Sequence, residues 1–273
     1  MPGPAAQDRA RLADAATAGA AGPGPSGAAP RAGPRAPAGA GHGVPLPGAG
    51  SAHGAVGQGP QTGQDHPPLP LTLRVDLHLH SYYSPDSKTS FADLVARCRE
   101  VGLDRIALTD HNTAAGAFEL RRLHPGLAIA GEEIKTREGE VIGLFLAEQI
   151  KPWLHPEETL DRIHGQGGLT YLAHPCDRFR ASFTPERIIE LAPGVDIIET
   201  YNPWARPADN QLAAELCQEL RKVAATGSDA HSPPELGLSW MEIEEYEGPA
   251  DFLDKLRQAR HVVTELSGTQ RRA

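Results

Sequence analysis

The chain has 273 residues, with 26 basic and 35 acidic side chains, a formal charge of −9 and three cysteines. That length holds one large domain or two small ones, and no run of 18 apolar residues offers a membrane span. Cys98, Cys176 and Cys217 are odd in number, far apart and form no CxxC, which suggests a reduced, cytoplasmic setting rather than a disulfide framework. Residues 1–70 hold 15 of the 29 glycines and 13 of the 25 prolines, with almost no apolar residue larger than alanine. Such a segment cannot offset its ordering entropy, so it reads as a disordered tail, and it lacks the apolar h-region of a signal peptide. Residues 71–273 read as one folded domain.

From residue 71, strand-like runs alternate with helical ones. Strands are predicted at 72–79, 104–109, 127–134, 140–147, 168–173, 195–200 and 222–227, with a short last one at 261–265. Helical spacing marks 90–101, 113–123, 156–166, 184–191, 207–220 and 249–259. Ser90 and Thr184 are candidate N-caps, the latter followed by Pro185 at the first helical position. Alternation of this kind predicts an α/β fold built on a parallel sheet covered by helices, either an open sheet or a closed barrel.

Nearly every strand run ends in side chains that bind metals. The first ends in His78-Leu79-His80 with Asp86 beyond, and the second in Asp110-His111. Glu132-Glu133 lies in the third, His174 follows the fifth, and Asp229 and His231 follow the seventh. Parallel strands converge at their carboxyl ends, so these groups should share one bowl. Clustered carboxylates and imidazoles need a cation there, and this donor mix suits Mn, Zn or Fe. In a strand, residues two apart share a face, so His78 and His80 can hold one ion while Leu79 packs away. The same alternation leaves only one of Glu132 and Glu133 facing the bowl. An isolated HxH is as often a pair of hydrogen-bonded core histidines; its coincidence with the other strand ends favours the metal reading. His42, His53, His66, His124, His155, His164 and His261 fall outside this pattern and read as surface or structural. Arg178 and Arg180, in "CDRFRAS", read as a solvated loop or as a phosphate-binding pair.

With these motifs in order, "DLHLHSYYSPDS", "ALTDHN", "AGEEIKT", "LAHP" and "GSDAH", the chain resembles the PHP (polymerase and histidinol phosphatase) metal-dependent phosphoesterases over about residues 71–265. The resemblance implies a distorted (β/α)7 barrel with a metal cluster at its C-terminal rim. It implies His78, His80, Glu133 and Asp229 as ligands of one ion, and Asp86, His111 and His231 as ligands of a second. A third position would take Glu133, His174 and a further histidine on the strand after the glutamate. Ile142 stands near that place and residues 125–154 contain no histidine. Two occupied ions are therefore expected, with the third weak or absent.

The implied chemistry is attack on phosphorus by a metal-activated hydroxide, with His174 or Asp110 moving a proton to the leaving oxygen. The expected substrate is a small phosphoester: a nucleotide, a nucleoside bisphosphate, a short oligonucleotide, or a sugar or amino-alcohol phosphate. Residues 71–273 carry a charge of −10, which argues against extended duplex nucleic acid as a partner. Tyr82, Tyr83, Tyr201 and Trp204 lie beside the motifs and could pack on a base or wall the barrel mouth. Two alternatives stand beside this reading: an amidohydrolase-type enzyme acting on a C–N or lactone bond, and a PHP-like module that binds metal without turnover. The sequence leaves the oligomeric state open.

Overall fold

The structure is a computed structural model that describes residues 72–264 and Leu266. The expected tail over 1–70 lies outside the described residues, as do His42, His53 and His66. In chain order the elements are β1 (Thr72–Leu79), α1 (Phe91–Val101), β2 (Arg105–Leu108), α2 (Ala115–Leu123), β3 (Ala128–Lys135), β4 (Glu140–Leu144), α3 (Pro156–Gly165) and β5 (Leu169–Leu172). They continue with α4 (Pro185–Leu191), β6 (Ile197–Tyr201), α5 (Pro207–Glu219), β7 (Val223–Thr226), β8 (Ser239–Glu244), α6 (Gly248–Leu256) and β9 (Arg260–Val263). The two expected caps form: Ser90 Oγ accepts the Asp93 N–H at 3.2 Å and Thr184 Oγ1 accepts that of Arg187 at 3.3 Å. Helix α1 buries Phe91, Leu94, Val95 and Cys98, one stripe at helical spacing.

The strands form one sheet in the order β7-β6-β5-β4-β3-β2-β1-β8-β9. It curls into a nearly closed barrel, because Leu79 at the end of β1 bridges in parallel to Ala230 just past β7. The outer edge of β1 is divided. Its first half pairs with β8, Thr72 opposite Glu244 through Val75 opposite Met241. Its end takes the chain beyond β7, with the Asp229 N–H on His78 O at 2.6 Å and the His80 N–H on Ala230 O at 2.9 Å. This seam needs Gly227, where a Cβ would lie 2.5 Å from the His78 nitrogen.

The expected all-parallel sheet is corrected in two places. Strand β4 is antiparallel to both β3 and β5. Only four residues, 136–139, join β3 to β4, far too few for a crossover, so the pair must be a hairpin. Strand β8, unrecognised in the sequence, alternates buried and half-buried residues until its exposed end and runs antiparallel to β1 and β9. Inside the barrel, Val75, Leu77, Ile142, Tyr171, Ile197 and Ala225 belong to one buried cluster. Leu79 packs instead with Phe91, Leu94 and Leu120 of the helical layer, so it does face away from its flanking histidines. Among the described residues no helix is long and apolar enough to cross a membrane.

Candidate metal centre

Strand β1 delivers His78 and His80 to the rim fully buried, and β3 delivers Glu133, also buried. His78 Nε2 lies 3.4 Å from Glu133 Oε2 and 3.6 Å from Asp229 Oδ1; His80 Nε2 lies 3.4 and 3.3 Å from the same atoms. Both Nε2 atoms are buried without a hydrogen bond. Donors left unpaired and aimed at one point are the pattern a bound cation satisfies. A second group adjoins it: Asp86 Oδ2 is 3.4 Å from His111 Nε2 and 3.3 Å from His231 Nε2. The His80 ring stacks on those of both His111 and His231, with centroids 4.4 and 4.2 Å apart. The structure thus brings together all seven residues expected for the first two positions.

Electrostatics ties these groups together. Burial would push His78 down, but Asp229, Glu133 and Glu199 outweigh it and hold the ring well above its ordinary value. His80 goes the other way, to about 3, because burial dominates the pull of Asp229 and Glu133. Asp229 is held well below the carboxylate range, burial being overcome by Arg180 and His78. His174 and Asp229 also take left-handed backbone, at φ +27° and +50°, a strain that functional sites commonly hold.

The third position differs from expectation. Ile142 is buried in the barrel interior, but Glu140, two residues earlier on the same strand, reaches the rim. His174 Nε2 lies 3.0 Å from Glu133 Oε1 and 3.7 Å from Glu140 Oε2, and ligand atoms of these three lie within 4.8 Å of one another. Glu140 thus stands beside the two protein donors expected there. Glu140 lies outside the strand-end pattern because β4 is reversed, so its first residue, rather than its last, faces the bowl. Glu132 turns away and accepts the Ile150 N–H at 2.9 Å.

Asp110 does not reach the cavity. It is fully buried and accepts the Ser81 N–H at 2.6 Å, the Ser81 hydroxyl at 2.7 Å and the Ser84 hydroxyl at 2.9 Å. Because Ser84 gives its one hydrogen to Asp110, its oxygen accepts from His80 Nδ1 at 3.1 Å and from the His111 N–H at 3.0 Å. Asp110 is therefore tied to His80 and His111 through Ser84, a place the expected proton-transfer role did not anticipate.

The rim opens into a cavity of about 790 Å³, lined by Asp86, His111, Glu133, Glu140, His174, Asp229 and His231 together with Lys135, Phe179, Arg180, Trp204 and Arg206. Arg180 reaches inward to pair with Asp229, whereas Arg178 is exposed and not among the lining residues. Phe179 is 77% exposed, and Arg206 lies over its ring at 5.1 Å. Of the four aromatics expected near the mouth, only Trp204 lines the cavity. Tyr83 packs on Phe91 and Tyr201 bonds the Thr264 carbonyl.

Comparison with known proteins agrees with this architecture. Residues 76–159 match the PHP domain and residues 207–261 a PHP-associated domain. An uncharacterized protein of Methanocaldococcus jannaschii, MJ1587, is 35% identical over 166 residues, which cover 54% of this chain and 95% of that protein. A two-domain Bacteroides vulgatus protein containing a predicted PHP-like metal-dependent phosphoesterase superposes with a TM-score of 0.59 at 20% identity, over 72% of this chain and 66% of that one. The lesion-specific endonuclease of Pyrococcus furiosus superposes at 0.55 and 15% identity, over 70% of this chain and 58% of its own. With its motifs in order around one rim and a domain match spanning β1 to α3, the chain belongs to the PHP family.

Proposed function

We propose that the chain is a metal-dependent phosphoesterase acting on a small phosphoester. The observation that carries this reading is the convergence of nine expected or newly found donors and Arg180 around one open cavity. His78, His80, Glu133 and Asp229 would hold one divalent ion, Asp86, His111 and His231 a second, and Glu133, Glu140 and His174 a third. Imidazole with carboxylate fits Mn, Zn or Fe. Bound ions would lower the pKa of a water and neutralise charge on a phosphoryl group.

The chain's own side chains do the rest. Asp229 turns Oδ1 toward the histidines and Oδ2 toward Arg180 and the Asn202 amide. Arg180 thus stands beside the cluster with a planar fork suited to phosphoryl oxygens, while Arg178 drops out of that role. Of the two expected proton-transfer groups only His174 lines the cavity, and its Nε2 is engaged by Glu133. Solvent reaching the half-exposed Asp86 supplies the leaving-group proton. Phe179 and Trp204 give one wall aromatic surface for a base, which supports nucleoside phosphates and short oligonucleotide ends over simple sugar phosphates. The net charge of residues 71–273 disfavours extended duplex.

A panel of nucleoside bisphosphates, short oligonucleotides, phosphomonoesters, amides and lactones, assayed with Mn²⁺ or Zn²⁺, tests the reaction class. Phosphoester turnover is expected; turnover of amides or lactones alone would sink the reading. On the best phosphoester, Arg180→Ala should raise KM by about 10- to 150-fold, since a charge-assisted contact contributes roughly 1.5–3 kcal/mol. An unchanged KM removes Arg180 from substrate binding.

A further inference from the structure

Glu199, on β6, is a fully buried carboxylate outside every ligand set above. Its Oε2 accepts the His174 backbone N–H at 2.6 Å and the Asn202 side-chain amide at 3.1 Å. Its Oε1 accepts the Tyr171 hydroxyl at 3.0 Å and faces His78 Nδ1 at 3.1 Å. The same Asn202 amide nitrogen reaches Asp229 Oδ2 at 3.1 Å. One carboxylate is thereby tied to the segments that carry His78, His174 and Asp229, three residues whose ligand atoms already cluster.

Three of the four contacts to Glu199 are donors by necessity: a peptide N–H, an amide NH₂ and a phenol. A carboxylate accepting on both oxygens makes the fourth a donor too, so Nδ1 of His78 carries a proton, and in a metal-loaded ring it is the only one. A ring with one proton on Nδ1 offers its lone pair at Nε2, the atom that faces Glu133 and Asp229 and has no other partner.

We propose that Glu199 is a positioning residue that decides which His78 nitrogen meets the metal and holds the His78, His174 and Asp229 segments in one arrangement. This rests on the metal-dependent reading above. Carboxylate–histidine–metal arrangements orient a ligand ring and raise its basicity, and their loss typically costs about 10–100-fold in metal affinity.

Glu199→Gln discriminates sharply. Two N–H donors on the Oε2 side draw the new amide oxygen there, which leaves the NH₂ facing Tyr171 and His78 Nδ1. Nδ1 must then accept, the ring proton moves to Nε2, and that atom can no longer bind a cation. Calorimetric titration of the metal-stripped full chain with Zn²⁺ should show the tightest equivalent weakened about 10–100-fold in Glu199→Gln, with its circular dichroism unchanged. Tyr171→Phe removes a neutral donor and leaves the ring tautomer alone, so its affinity should stay within about threefold. Nitrogen-15 spectra of the Zn²⁺-loaded wild type should show an Nδ1–H at His78.

Wild-type affinity in Glu199→Gln, or an Nε2–H at His78 in the loaded wild type, overturns the proposal while the metal-dependent reading stands. A wild type that binds no Zn²⁺ overturns both. Should Glu199→Gln fail to fold, the wild-type spectrum still decides.

Discussion

His80→Ala should abolish phosphoester turnover, by roughly three orders of magnitude or more, with the fold retained. Apart from the Nδ1–H that it gives Ser84, the ring contributes nothing to the barrel interior. Its Nε2 faces only Glu133 and Asp229, and its faces lie against His111 and His231. Removing it would delete a donor from the set proposed for the first ion and the spacer between the two proposed sets. The cost in stability is that of a partly collapsible void beside a solvent-open cavity, about 2 kcal/mol. Asp229→Ala should be equally inactive but less stable, because Arg180 and Asn202 lose their shared acceptor. Asp229→Asn keeps the shape and is the cleaner companion. Turnover and urea midpoint measured on the same preparations check both halves; unchanged turnover in His80→Ala removes the metallophosphoesterase assignment.

The second expected result concerns Glu140. Glu140→Ala should lose one metal equivalent while the other two remain, and Glu140→His should restore it. The side chain faces His174 and, on its other oxygen, Lys135 Nζ at 3.5 Å. It can therefore complete a three-donor set with Glu133 and His174, whereas two donors alone hold a metal poorly. Elemental analysis after dialysis against limiting chelator, together with anomalous scattering from Mn- or Zn-soaked crystals, counts the ions. Equal metal content in wild type and Glu140→Ala would show that Glu140 only pairs with Lys135.

The parts of the site that could be read from sequence share one geometric origin. His78, His80, His111, His174, Asp229 and His231 all sit at or just past the ends of parallel strands, where a linear pattern maps directly onto one face. Glu140 obeys the opposite rule, since its strand runs backward and presents its start. The four residues between β3 and β4 carry the clue to that reversal, which a pattern of strand ends all pointing one way does not contain. Asp110 and Glu199 also stood at strand ends, and their types alone could not separate a group that faces the cavity from one that holds its neighbours. Only the hydrogen-bond partners, Ser81 and Ser84 in one case and His78 and Tyr171 in the other, make that distinction. Phe179 and Arg206 come from loops with no strand address, so nothing in the pattern marked them.

The divided edge of β1 would give bound ions a second consequence. The barrel closes where β1 meets the segment after β7, through a few backbone hydrogen bonds and a glycine contact. His78 and His80 stand on one side of that join and Asp229 on the other. A cation gripped by all three would act as a clasp across this closure of the ring. Metal loss would then loosen the architecture as well as silence the chemistry, linking the protein's lifetime in the cell to its supply of ions.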